Sequence, residues 1–230
     1  MKKLFLLLMI AGLVCAAQAS YTEVFETPDN TTVKISDAGV TTMTDTGLTW
    51  NGYGNYIEVK DDGIPDSGLE LGSDHLRFKG HAAGDYAYSD SANGILQDMS
   101  GADALIDANC KVVNGAASFN IMLRDEGTWY MSSGTFDVPV GDAANYQLNM
   151  SDLSWYQVAA FDGTAALSIG TTAFSSSILD KVDAIGVMAA TDAATSTVRI
   201  QIKAIQLNAV PEPATMVLLG LGGLLIRRKR

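Results

Sequence analysis

Few side chains in this sequence could do chemistry, and their spacing does not assemble them into a reaction centre. His75 and His81 stand near Asp74 and Asp85, but no His-Glu-x-x-His pattern and no third ligand at metal-binding spacing accompanies them. They read as two surface histidines at a strand end. No Gly-x-Ser-x-Gly elbow occurs, and no glycine-rich loop of the kind that cradles phosphate. Glycoside hydrolysis uses two carboxylates about 5–9 Å apart. Asp125 and Glu126 are adjacent, so they point to opposite faces on a strand and to solvent in a turn. The expectation is a protein that is not an enzyme.

Aromatic pairs are the feature compatible with ligand binding. Trp129-Tyr130, Trp155-Tyr156 and Trp50 with Tyr53 could stack on sugar rings, whose C–H faces suit a flat aromatic platform. Adjacent residues on a strand face opposite ways, so each neighbouring pair sends one ring inward. Core anchoring is the expected role of Trp129 and Trp155, and Trp50, beside a Gly-rich turn, is the expected exposed ring. Trp50, Tyr53, Trp129 and Trp155 are the carbohydrate-binding candidates, with extracellular polysaccharide as the partner. Asp61-Asp62-Gly63-Ile64-Pro65-Asp66 is similar to the Asp-Gly-Ile-Pro-Asp core of calcium-binding acidic repeats, although Val59 and Lys60 stand where those repeats carry further acids. Calcium takes six to eight oxygens. A plain acidic turn is the expected reading, and a structural calcium on Asp61, Asp62 and Asp66 is the alternative. No other cofactor is expected.

The elements that must position these residues are strands. Short segments of alternating or apolar pattern recur about every ten residues, parted by Gly, Asp, Asn and Ser clusters. Ala117 to Arg124 sets Phe119, Ile121 and Leu123 on one face, and Asp125-Glu126-Gly127 turns it into Thr128 to Ser132. Gly134 to Val138 reads as a separate strand, and Asn51-Gly52-Tyr53-Gly54 as a turn. Ile95 to Ser100 is a further candidate strand, and Phe174 to Leu179 a short helix or loop. Val182 to Ala189 is apolar enough for a central strand, and Thr197 to Leu207 closes the pattern. The fold class is all-β, a jelly-roll-type antiparallel β-sandwich over residues 20–209. The order of the second half resembles galactose-binding-like and concanavalin-like jelly rolls.

The two ends read as addresses. Lys2-Lys3, an apolar run from Leu4 to Val14, and Ala17-Gln18-Ala19 before Ser20 form a signal peptide over residues 1–19, a substrate of signal peptidase. Residues 210–230 combine Pro211-Glu212-Pro213, an uncharged run from Ala214 to Ile226, and Arg227-Arg228-Lys229-Arg230. As a helix the run spans roughly 20 Å, short of the ~30 Å hydrocarbon core, and the basic cluster would hold the cytoplasmic side. The fold is thus expected to be flanked by a signal helix and a short apolar C-terminal helix. The tail resembles the PEP-CTERM sorting signal of bacterial exported proteins. That resemblance implies recognition of Pro211, Glu212 and Pro213 by an exosortase that removes the tail. It also implies transient membrane insertion with Arg227, Arg228, Lys229 and Arg230 as the stop, and a cell-surface or extracellular destination.

Of 15 basic residues, six belong to the two signals, and of 26 acidic residues only Glu212 does. The body therefore carries nine basic against 25 acidic residues, a formal charge of −16. So acidic a surface disfavours nucleic acid and anionic membrane surfaces as partners, since both need cationic contacts. It suits solubility and the attraction of cations such as calcium, and the tail's address makes a non-enzymatic surface or extracellular-matrix component the expected role. Cys15 leaves with the signal, so Cys110 stands alone and reads as a small buried hydrophobe without a disulfide partner.

Overall fold

Period-two alternation builds two antiparallel sheets facing each other across one core. The computed structural model describes residues 20–25, 32–35, 41–42, 48–54, 56–60, 75–89, 95–159, 165–195 and 197–209. In chain order the strands are β1 (Ser20–Val24), β2 (Thr32–Lys34), β3 (Thr41–Thr42), β4 (Thr49–Tyr53) and β5 (Ile57–Lys60). There follow β6 (His75–Lys79), β7 (Tyr86–Ser89), β8 (Leu105–Val113), β9 (Ala117–Asp125) and β10 (Thr128–Val138). The last are β11 (Ala144–Asn149), β12 (Trp155–Ala159), β13 (Ser168–Phe174), β14 (Val182–Ala189) and β15 (Arg199–Asn208). One sheet has seven strands in the order β11-β8-β15-β6-β5-β2, with β1 also on β15; the other has eight, β13-β12-β10-β9-β14-β7-β4-β3. The chain crosses repeatedly between the sheets, as a jelly-roll-type sandwich does. The expected signal helix and apolar C-terminal helix, and Asp61, Asp62 and Asp66, lie outside the described residues.

Inward faces follow the sequence pattern. Phe119, Ile121 and Leu123 of β9 meet Ile106, Ala108, Cys110 and Val112 of β8, and Ile200 and Ile202 of β15, in one buried cluster. Phe119 stacks on Phe136 at 5.1 Å between centroids. Cys110 is buried and free, and desolvation pushes its thiol up to about 12. β14 lies between β9 and β7, which is why its sequence is apolar nearly throughout.

Three local readings are corrected. Thr128 to Val138 is one strand and not two: β10 bulges against β9 between Met131 and Thr135. Ser132 fills the gap, its hydroxyl accepting from the Ile121 N–H at 3.2 Å and donating to the Gly134 carbonyl at 2.7 Å. Asn51 to Tyr53 is strand and not turn, because β4 pairs with β7 through Trp50↔Ser89 to Tyr53↔Tyr86. Ile95 to Ser100 forms a single bridge, Gln97↔Val182, in place of a strand. The expected short helix is a 3-10 turn at Ser176–Ile178. The Asp125-Glu126-Gly127 turn stands as expected, with positive φ at Glu126 (44°) and Gly127 (84°), the two-residue geometry that suits right-handed strand twist.

Candidate ligand-binding face

The outer side of an antiparallel sheet ordinarily alternates to polar residues. On the eight-stranded sheet it does not. Tyr86, Met122, Trp129, Val158 and Ala184 form a second buried cluster there, with Tyr53, Tyr88, Met131, Leu167, Ile169 and Met188 packed against it. Alternation places them: Tyr86 and Tyr88 flank inward Ala87 on β7, and Met122 and Arg124 flank inward Leu123 on β9.

The rings form an arc across five strands. Tyr53 stacks on Tyr86 at 5.4 Å, Tyr86 lies 6.1 Å from Tyr88, and Tyr88 meets Trp129 edge-on at 5.9 Å and 82°. Gly186 on β14 makes the crossing possible. A Cβ there would come within 2.8 Å of the Met122 methyl, 3.0 Å of the Ala87 carbonyl and 3.2 Å of Tyr88 Cβ. The Tyr86 hydroxyl donates to the Ala165 carbonyl at 2.9 Å, which pins the chain ahead of β13 over one end of the arc.

At the Trp129 end a cavity of about 430 Å³ opens, lined by Tyr88, Arg124, Gly127, Thr128, Trp129, Gln157 and Val158. Arg124 lies 5.6 Å above the Trp129 ring and its Nε donates to Asp183 at 2.7 Å. Ring contact and ion pair fix the guanidinium and neutralise it. The cavity therefore offers an aromatic wall, an amide, a hydroxyl and a compensated charge pair. That combination suits an uncharged, hydroxyl-rich ligand.

Of the sequence candidates, Tyr53 and Trp129 share this face and Trp50 and Trp155 do not. The expectation of an exposed Trp50 is corrected: the ring is 0% exposed, edge-on to Phe25 at 4.8 Å, and its Nε1 donates to Glu23 at 2.8 Å. Membership of β4 turns it inward. Trp155 is also fully buried, in line with core anchoring. Trp129 is 5% exposed, but in the outer cluster and not between the sheets. Tyr88, Arg124, Gln157 and Asp183 escaped the sequence reading. The alternation of Tyr86 and Tyr88, together with a glycine inside the apolar β14 run, was the signal available.

The two histidines are corrected as well. His75 is 0% and His81 2% exposed. His75 Nε2 lies 3.1 Å from Gln201 Nε2 on the outer side of the seven-stranded sheet, where Glu58, Arg77, Lys111 and Gln201 are also buried and Arg77 pairs with Glu58. His81 sits where the Ala193 N–H binds its carbonyl at 2.9 Å, and neither ring nitrogen has a partner among the described residues. Burial lowers its pKa against the opposing pull of Asp85 and Asp192. Asp125 does not face solvent: it is buried and accepts the Lys181 N–H at 2.6 Å, and burial raises its pKa. Among the described residues no group of three or more His, Cys, Asp or Glu is placed to hold a metal ion.

Residues 209–230 match the family described as the PEP-CTERM protein-sorting motif. The motif marks an exported protein handled by an exosortase at the membrane. No described helix is long and apolar enough to cross a membrane. No curated protein matches the chain. Among solved structures, PfGH50B is similar at TM-score 0.44 and 16% identity, covering 73% of this chain and 23% of that one, so this chain spans under a quarter of its length. The family 11 carbohydrate-binding module from Clostridium thermocellum, in complex with a beta-1,3-1,4-mixed-linked tetrasaccharide, is similar at 0.40 and 14%, over 79% of this chain and 97% of that one. Bacillus licheniformis beta-glucanase is similar at 0.31 and 10%, over 84% of this chain and 100% of that one.

Proposed function

We propose that the protein is a non-enzymatic surface or extracellular-matrix component whose outer aromatic face binds an uncharged polysaccharide after tail removal. The observation that carries this reading is the arc from Tyr53 to Trp129, on a sheet face that packing alone would leave polar, ending in a cavity with both apolar and hydrogen-bonding walls. Sugar C–H faces would lie against the half-buried Tyr88, beside the stacked Trp129 and Arg124. Hydroxyls would meet Thr128, Gln157 and the Arg124–Asp183 pair. A formal charge of −16 on the body repels polyanions, which favours neutral chains.

Affinity electrophoresis and calorimetry against a panel of neutral and acidic polysaccharides test it. A neutral glycan should bind, shift the tryptophan fluorescence, and bind at least about tenfold more weakly to Gln157→Ala or Tyr88→Ala, a difference of about 1.4 kcal/mol. Binding that Trp50→Phe abolishes and Gln157→Ala leaves untouched would contradict the assignment, as would no response to any glycan.

A further inference from the structure

Among the described residues, the far edge of β11 ends the seven-stranded sheet without the protection that β2, β3 and β13 carry. Exposed strand edges invite pairing with another chain, and proteins blunt them by shortness, charge, proline or bulges. β2 has three residues including Lys34, β3 has two, and β13 slips register against β12 between Ile169 and Ala173. β11 has six, Ala-Asn-Tyr-Gln-Leu-Asn, with no charge and no proline, in unbroken register with β8 from Ala144↔Cys110 to Asn149↔Leu105.

The direction of its backbone groups can be read off. The Met150 N–H donates to the Ala104 carbonyl at 2.9 Å, the next rung beyond Asn149↔Leu105. Groups alternate along a strand, so Ala144, Tyr146 and Leu148 serve β8. The N–H and C=O of Asn145, Gln147 and Asn149 therefore point away from it. Among the described residues nothing pairs with them, and their side chains are exposed.

The strand also complements itself. In an antiparallel pair centred on Gln147, Gln147 faces Gln147 of the second copy, Asn145 faces Asn149, and Tyr146 faces Leu148. One side becomes a row of amide pairs, level with Asn109 and Asp107 of β8, which already bond Asn145 (2.7 Å) and Gln147 (2.8 Å). The other side sets aromatic against aliphatic, a favourable cross-strand match. The strand brings no charge to the contact, whereas the bodies carry −16 each and repel.

We infer that β11 is a self-association edge: two copies of this chain join β11 to β11 antiparallel about Gln147, making one continuous sheet. Sedimentation of the processed protein, from low micromolar to millimolar concentration, should show a monomer–dimer equilibrium that salt strengthens by screening the repulsion. Gln147→Pro removes an outward N–H that β8 does not use, so the monomer should fold and the dimer be lost. Gln147→Lys places like charges opposite each other and should weaken the dimer, and it decides the matter if the proline variant fails to fold.

Register is tested separately. Facing hydrogen-bonded residues have Cα atoms about 5.5 Å apart, within the disulfide range, whereas the two copies of Asn145 would stand about 14 Å apart. Gln147→Cys should therefore cross-link under oxidation and Asn145→Cys should not. A monomer at every concentration and salt, a dimer that survives Gln147→Pro and Gln147→Lys, or equal cross-linking at both positions would overturn the inference.

Discussion

Replacing Glu23 should unfold the protein more readily than replacing any exposed acid, because two buried donors converge on it. Its carboxylate is fully buried between the sheets and accepts the Trp50 indole N–H at 2.8 Å and the Tyr21 hydroxyl at 2.5 Å. Hydrogen bonds to a charged group contribute about 1.5–3 kcal/mol each, so Glu23→Ala should cost roughly 3–6 kcal/mol. For a domain of this size each kcal/mol moves Tm by roughly 2–4 °C, which sets the expected drop at about 6 °C or more. Glu23→Gln keeps one acceptor and should lose about half as much. Trp50→Phe should destabilise through the same bond while leaving polysaccharide affinity unchanged. Calorimetric melts of the three variants and wild type at neutral pH supply the comparison. A Glu23→Ala melt within about 2 °C of wild type, or a more stable Glu23→Leu, would refute the idea that these bonds outweigh the desolvation of the carboxylate.

His81 predicts acid sensitivity. Its folded pKa lies below the ordinary value, so the unfolded chain takes the proton first. Its contribution is complete above about pH 6.5 and falls as pH drops toward the folded value, whereas Asp125, with a raised pKa, changes in the opposite sense. Melts at about pH 7.5 and pH 5 should show a smaller Tm loss for His81→Leu than for wild type; equal losses would dismiss His81 as the cause. At the other end of the chain, joint Pro211→Ala and Glu212→Ala should leave the tail uncleaved, seen as a larger intact mass, and normal processing would refute recognition through this turn.

The fold was readable because burial imposes period two. Phe119, Ile121 and Leu123, or Leu76 and Phe78, are unmistakable once every second residue is apolar, and the tail carries its own signature in three parts. Where the reading failed, local chemistry misled it. The glycine of Asn51-Gly52-Tyr53 signalled a turn, but Gly52 lies in β4, where a Cβ would press to 3.3 Å from the Tyr86 carbonyl. Once β4 is a strand, Trp50 must face inward. Ser133-Gly134 signalled a break and proved to be a bulge. The face itself was hidden because it joins residues from seven strands. No pair among Tyr53, Tyr88, Arg124 and Trp129 beyond the last two is near in sequence, and only strand order brings them together.

Ser20 lies directly across from Asn208, the last residue of β15, so the domain's chain enters and leaves at one corner. The two signals read at the ends of the sequence would therefore leave from one corner of the domain. β15 runs in the same direction as β11, since both are antiparallel to β8. A two-fold joint across β11 would therefore set the two Asn208 ends at opposite ends of the shared sheet. On that joint, copies whose tails were both held in one membrane would be kept apart, so tail removal would come before pairing.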